Sequence, residues 1–152
     1  MDVRPDDLLK LDSQLCFALY ACSKEVIRLY KPFLEPYGLT YTQYITLLVL
    51  WEKDDLSVSE LGSRLLLDSG TLTPLLKKLE KLELVERVRS ARDERSVQVC
   101  LTEKGRSLKE HFLDLPQKMF CCTGLAPEEA LRLKEMLSQL LGNIRAVPKD
   151  TV

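Results

Sequence analysis

A chain of 152 residues that is 45% apolar and 30% charged is long enough to bury a core and too apolar to remain disordered. Its net charge of −1 excludes a uniformly basic nucleic-acid binder, so any DNA-binding surface must come from local segregation of charge. No stretch approaches the ~20 apolar residues of a membrane span, and the N-terminus lacks a basic flank and apolar run. The expected location is therefore the cytoplasm, with no membrane partner. The cysteines Cys16, Cys22, Cys100, Cys121 and Cys122 contain no C-x-x-C pair, and His111 stands alone. Neither a metal site nor a cofactor is expected from such a set.

Residues 1–7 are polar. From Leu8 to Glu35, the positions Leu8, Leu11, Leu15, Leu19, Val26, Ile27 and Tyr30 predict a helix with a wide apolar face, ended by Pro32, Pro36 and Gly38. A helix this apolar needs a partner to cover it. Thr40 is placed to cap a second helix through Tyr44, Leu47, Leu48, Leu50 and Trp51, closing near Lys53-Asp54-Asp55. Ser57 is placed to cap a short helix carrying Val58, Leu61 and Leu65. After a break at Asp68-Ser69-Gly70, the residues Leu72, Leu75, Leu76, Leu79 and Leu82 form a 3.6-residue stripe, with Pro74 early in that helix. Two short helices meeting at a turn form a helix-turn-helix, whose second helix can enter a major groove.

Val85 to Arg89 and Ser96 to Leu101 follow as two strand-like runs, joined by the polar tip Ser90-Ala91-Arg92-Asp93-Glu94-Arg95. A hairpin directly after a recognition helix is a wing. Beyond it, Thr102 and Gly105 open a helix that Pro116 interrupts or ends, and Gln117 to Gly124 is expected to be a hinge holding Cys121-Cys122. Pro127, Glu128 and Glu129 then start a helix whose stripe is Leu133, Met136, Leu137, Leu140, Leu141 and Ile144, running to Val147-Pro148. The expected fold is mainly α with a small β-hairpin: a single domain over 1–152, with a winged helix-turn-helix at 57–101. The segments 8–38 and 102–147 are expected to be dimerisation helices. An isologous homodimer would carry its two recognition helices to successive major grooves of double-stranded DNA, which requires a pseudo-palindromic operator.

Ser69, Thr71, Thr73 and Lys77 fall in the first turns of the second helix, where hydroxyls and ammonium groups meet bases or phosphates. Lys78, Arg87, Arg89 and Arg92 extend the basic span, although Glu80, Glu83, Glu86, Asp93 and Glu94 interleave with it. For the lysines the alternative is an ordinary solvated helix face. For the arginines it is a basic strand edge that deters aggregation.

The order of elements, with D-x-R at Asp93 and Arg95 followed by V-x-V-x-L-T-x-x-G from Val97 to Gly105, resembles the MarR family of winged-helix repressors. Three stretches look more narrowly like its OhrR branch of organic hydroperoxide sensors. They are Leu15-Cys16-Phe17-Ala18-Leu19-Tyr20, Leu39-Thr40-Tyr41-Thr42-Gln43-Tyr44, and the string from Leu67 to Lys78 that contains D-S-G-T-L-T-P-L-L-K-K. The resemblance spans nearly the whole chain. It implies that Arg95 enters a minor groove with Asp93 orienting its guanidinium, that Cys16 is the redox sensor, and that Tyr30 and Tyr41 are hydrogen-bond partners of its sulfur. It further implies a two-cysteine type, with Phe120-Cys121-Cys122-Thr123-Gly124-Leu125 matching the region of the resolving thiol. The C-x-T-G spacing leans towards Cys121, and Cys122 stays open.

The resemblance brings a geometric demand with it. Cys16 and Tyr30 lie 14 residues apart on one expected helix, about 21 Å at 1.5 Å per residue. For the two to touch, Tyr30 must come from the other subunit or the helix must fold back. The expected function is thus a DNA-binding repressor, not an enzyme, released when organic hydroperoxide oxidises Cys16. Alternatives are release by a small aromatic ligand, a broader thiol-based regulator, and a thiol peroxidase.

Overall fold

Side-chain hydrogen bonds made within three residues set the starts of several helices. The structure, a computed structural model, describes residues 5–89 and 96–148. These divide into two compact units, one ending at Leu113 and the other beginning at Asp114.

In the first unit, α1 (Pro5–Leu8) is a single turn, a 3-10 turn spans Leu11–Ser13, and α2 runs Leu15–Leu34. The single helix expected from Leu8 is therefore broken. Lys10 and Gln14 are both extended, and the Gln14 side-chain amide donates to the carbonyls of Leu8 and Lys10. Pro32 does not end α2 as expected. It sits inside the last turn, and the helix gives way instead to a 3-10 turn at Glu35–Tyr37 and to Gly38 at φ 67°. α3 (Tyr41–Glu52) starts in a capping box: the Gln43 N–H donates to the Thr40 hydroxyl while the Thr40 N–H donates to Gln43 Oε1 at 2.9 Å.

The turn of the helix-turn-helix is equally local. β1 (Leu56–Ser57) leads into α4 (Val58–Leu65), which Ser57 and Glu60 cap reciprocally. Leu66 then takes a left-handed conformation, φ 56°. A Cβ on Gly62 would lie 2.8 Å from the Leu67 carbonyl oxygen, so the turn closes against a residue with no side chain. α5 (Ser69–Lys81) is capped by the Asp68 carboxylate, which accepts the Thr71 N–H at 2.8 Å. Pro74 is the sixth residue of α5 and so falls one turn later than the free first-turn position expected for it. Leu72, Leu76 and Leu79 of α5 are wholly buried, as are Leu47 of α3 and Leu61 of α4.

β2 (Val85–Arg89) and β3 (Val97–Leu101) pair antiparallel, with Val85 opposite Leu101 and Arg89 opposite Val97. β1 adds a third strand, in the order β1-β3-β2, with Leu56 opposite Val99. Two residues are too short for alternation to reveal, which is why only a hairpin was expected. α6 (Glu103–Leu108) follows, capped by the Thr102 hydroxyl, and a 3-10 turn at Lys109–Phe112 closes the unit. Trp51 donates its indole N–H to the Gly105 carbonyl at 2.8 Å, and Phe112 packs on Tyr44 and Trp51.

In the second unit, α7 (Leu115–Thr123) and α8 (Pro127–Ala146) are joined at Gly124, φ 66°. The expected interruption at Pro116 and hinge over Gln117–Gly124 are both corrected. Pro116 is the second residue of α7, where no N–H is missed, and the break shrinks to Gly124–Ala126. Glu129 accepts the Ala126 N–H at 2.8 Å and sets the start of α8.

Gly105 is the most closely packed glycine of the first unit's described residues, since a Cβ there would fall 2.0 Å from the Leu84 carbonyl oxygen. Gly105→Ala is expected to lower unfolding stability by at least about 2 kcal/mol in urea titration. An unchanged midpoint and slope would contradict this packing.

Candidate DNA interface and sensor residues

The buried leucines of α5 leave a polar face made of Ser69, Thr71, Lys77 and Lys78, all exposed, with Thr73 half-buried beside it. Thr71 has a local task as well: its hydroxyl donates to Asp68 at 3.2 Å. These contacts from the Thr71 amide and hydroxyl hold the Asp68 carboxyl below its usual range. The Thr71 amide at the start of α5 is therefore already used by its own cap.

On the wing, Arg89 is exposed at the end of β2, whereas Arg87 turns back to pair with Glu80 of α5 at 2.7 Å. Its Nε is buried without a partner. This bridge ties the wing to the back of α5 and gives Arg87 a task inside the protein. Arg92, Asp93 and Arg95 lie outside the described residues.

Cys16 is the second residue of α2 and is exposed, beside exposed Leu15, Phe17 and Tyr20. Tyr30 sits fourteen residues along the same unbroken helix, which separates the two by about 21 Å. Tyr30 and Tyr41, by contrast, are brought together, with ring centroids 4.9 Å apart in an edge-on contact and Tyr44 5.7 Å from Tyr30. Burial, then the neighbouring Tyr41, raises the Tyr30 phenol above its usual range; burial also pushes Tyr44 up to about 12. Tyr30 and Tyr44 therefore keep their protons at neutral pH and can act as hydrogen-bond donors.

Cys121 and Cys122 are exposed in the last turn of α7, and the Gln117 amide lies 3.9 Å from the Cys121 sulfur. Cys100 is the opposite case. Burial, then the hydrogen bond from its thiol to Asp55 at 3.4 Å, pushes it up to about 11. Asp54 and Asp55, read in the sequence only as the end of a helix, turn out to engage β3. No local pattern could reveal this, because their partners are about fifty residues away.

Many exposed apolar side chains fall on two stretches of the chain, from α1 into α2 and along α8. Along the first unit they are Leu8, Leu11, Leu15, Val26 and Ile27; along α8 they are Leu133, Met136, Leu137, Leu141 and Ile144. Among the described residues no cluster of His, Cys, Asp and Glu could hold a metal ion, and no helix is long and apolar enough to cross a membrane.

A helix-turn-helix followed directly by a wing, with an exposed polar face on its second helix, defines a winged-helix transcriptional regulator. The family model described as transcriptional regulator SarA/Rot matches residues 28–112. The chain is 47% identical over 135 residues to the organic hydroperoxide resistance transcriptional regulator of Bacillus subtilis (strain 168), covering 89% of this chain and 92% of that one. It is 49% identical over 141 residues to the HTH-type transcriptional regulator TtmR of Methylorubrum extorquens (strain PA1), covering 93% and 72%. Among solved structures it is similar to reduced AbfR bound to DNA, a Staphylococcus epidermidis protein, at TM-score 0.75 and 34% identity over 90% of this chain and 96% of that one. AbfR has also been solved with a disulfide formed, and overoxidised on DNA. The chain belongs to the MarR family of winged-helix transcriptional regulators.

Cys100 is expected to resist iodoacetamide at pH 8 in the folded protein and to react once urea unfolds it, as read by peptide mass spectrometry. Rapid alkylation of the folded chain at Cys100 would contradict the Asp55 contact.

Proposed function

We propose that the protein is a homodimeric repressor that holds a pseudo-palindromic operator while Cys16 is reduced and releases it when organic hydroperoxide oxidises that thiol. The observation that carries this is the separation of Cys16 from a packed phenol pair, Tyr30 and Tyr41, by a continuous helix whose apolar residues are uncovered. Pairing α2 with its copy covers those residues and can bring one chain's phenols to the other chain's sulfur. The apolar surfaces of 8–38 and 102–147, which include α2 and α8, suit them as the dimerisation segments.

The chemistry follows from that placement. The Cys16 thiolate attacks the peroxide O–O bond, takes one oxygen as sulfenic acid and expels an alkoxide, which is protonated to the alcohol. The sulfenic acid then condenses with the thiol of Cys121 or Cys122, forming a disulfide and releasing water. The Gln117 contact favours Cys121. A peroxidase would run the same steps, so the two differ in turnover: a sensor is expected to stop after about one peroxide per Cys16 when a dithiol reductant is present, where a peroxidase would continue. The relative named for organic hydroperoxide resistance and the disulfide form of AbfR support the same reading.

DNA contact is assigned to Ser69, Thr71, Thr73, Lys77 and Lys78 on α5, and to Arg89, Arg92 and Arg95 on the wing, with Asp93 orienting Arg95 and Arg87 bracing the wing against α5. A second reading, release by a small aromatic ligand, has one feature in its favour. A cavity of about 420 Å³ lies between Pro36, Tyr37, Leu82, Leu84, Leu108 and His111.

Cumene hydroperoxide is expected to release the wild-type protein from a duplex it has selected out of a randomised pool, while Cys16→Ser binds that duplex and ignores the peroxide. A Cys16→Ser variant that still lets go would refute the sensor. On the same duplex, Arg95→Ala is expected to cost about 1–3 kcal/mol of affinity. Unchanged binding at moderate salt would remove Arg95 from the interface.

A further inference from the structure

Asp54 follows α3 and stands two residues before β1. Its Oδ1 accepts the N–H of Asp55 at 2.8 Å and the N–H of Leu101 at 2.9 Å. Its Oδ2 accepts from the Arg106 guanidinium of α6 at 2.9 Å. Next to it Asp55, at φ 57°, accepts the Cys100 thiol, and Leu56 pairs with Val99. Three consecutive residues of β3 are thus held from one short connection, and α6 is held to the same carboxylate. Burial works to raise the Asp54 carboxyl, but the Leu101, Asp55 and Arg106 contacts outweigh it and leave it lowered.

The two helices of the helix-turn-helix start at caps of their own, Ser57 and Asp68, whose partners lie within three residues. What the carboxylates hold is the base of a lever. From Leu101 to Val97, β3 extends about 13 Å at 3.3 Å per residue. A tilt of about 10° at its base would move the far end by about 2 Å, enough to break hydrogen bonds made beyond it.

We propose that Asp54 is a positioning residue for DNA binding: with Asp55 and Arg106 it sets the angle at which the wing leaves the sheet, so that its tip and α5 engage one stretch of duplex. The inference rests on the reading that the wing tip contacts DNA. Arg106 and Asp54 are both partly exposed, so their ion pair contributes little to global stability. The loss of geometry should therefore appear in binding before it appears in unfolding.

The test is a double-mutant cycle by fluorescence anisotropy on the duplex selected by the wild-type protein. Asp54→Asn is expected to weaken binding about five- to tenfold, to do so equally in a Lys77→Ala background, and to change affinity less than twofold in an Arg95→Ala background. Arg106→Gln approaches the same contact from its other side. It is expected to give the same pattern, and it carries the test if Asp54→Asn does not fold. Unchanged affinity in the folded variants overturns the proposal, as does an equal loss with and without Arg95, which would mean general loosening. An Arg95→Ala protein that binds like wild type would instead remove the wing-tip reading, and this proposal with it.

Discussion

Backbone hydrogen bonding carries α2 without a break from Cys16 to Tyr30, ahead of Pro32, and that rod keeps the two about 21 Å apart on the same chain. No tyrosine side chain spans such a distance. The phenols Tyr30 and Tyr41, 4.9 Å apart, are built on the junction of α2 and α3, while the sulfur stands at the far end of α2 among exposed apolar residues. In the proposed sensor the two halves of the chemistry must therefore meet across a pair of chains. In that proposal, oxidation would act on the contact that spaces the two recognition helices, which would give a small covalent change a route to the operator.

The DNA-reading half is held by a different kind of interaction. Its helices begin at caps made within three residues of themselves: Thr40 with Gln43, Ser57 with Glu60, and Asp68 with Thr71. The wing is held by long-range contacts, from Asp54, Asp55 and Arg106 at its base and from the Arg87–Glu80 pair along β2. Helix starts are thus local properties of the chain, whereas the direction of the wing is a property of the folded unit.

That division also explains what could be read without coordinates. The caps at Thr40 and Ser57 and the stripe Leu72, Leu75, Leu76 and Leu79 follow from nearest-neighbour rules, and the winged helix follows from them. The prolines were less legible, because their effect depends on the turn they occupy. Pro32 lies inside the end of α2 and Pro116 opens α7. The break before α2 was hidden because Gln14 folds its side chain back on Leu8 and Lys10, which no periodicity records. β1 is two residues long, and the partners of Asp54 lie 47 and 52 residues away. The pairing of Tyr30 with Tyr41 became visible only when α2 and α3 packed together.

The most direct measurement of the central claim uses mixed dimers assembled from two differently tagged chains, one carrying Cys16→Ser and the other Tyr30→Phe with Tyr41→Phe. The rate at which cumene hydroperoxide consumes the one remaining Cys16 thiol is compared with that of wild type and of the doubly Phe-substituted homodimer. A sensor shared between chains predicts the wild-type rate, because that thiol faces the intact phenols of its partner. A rate equal to that of the Phe-substituted homodimer would place sulfur and phenols on one chain and contradict the account.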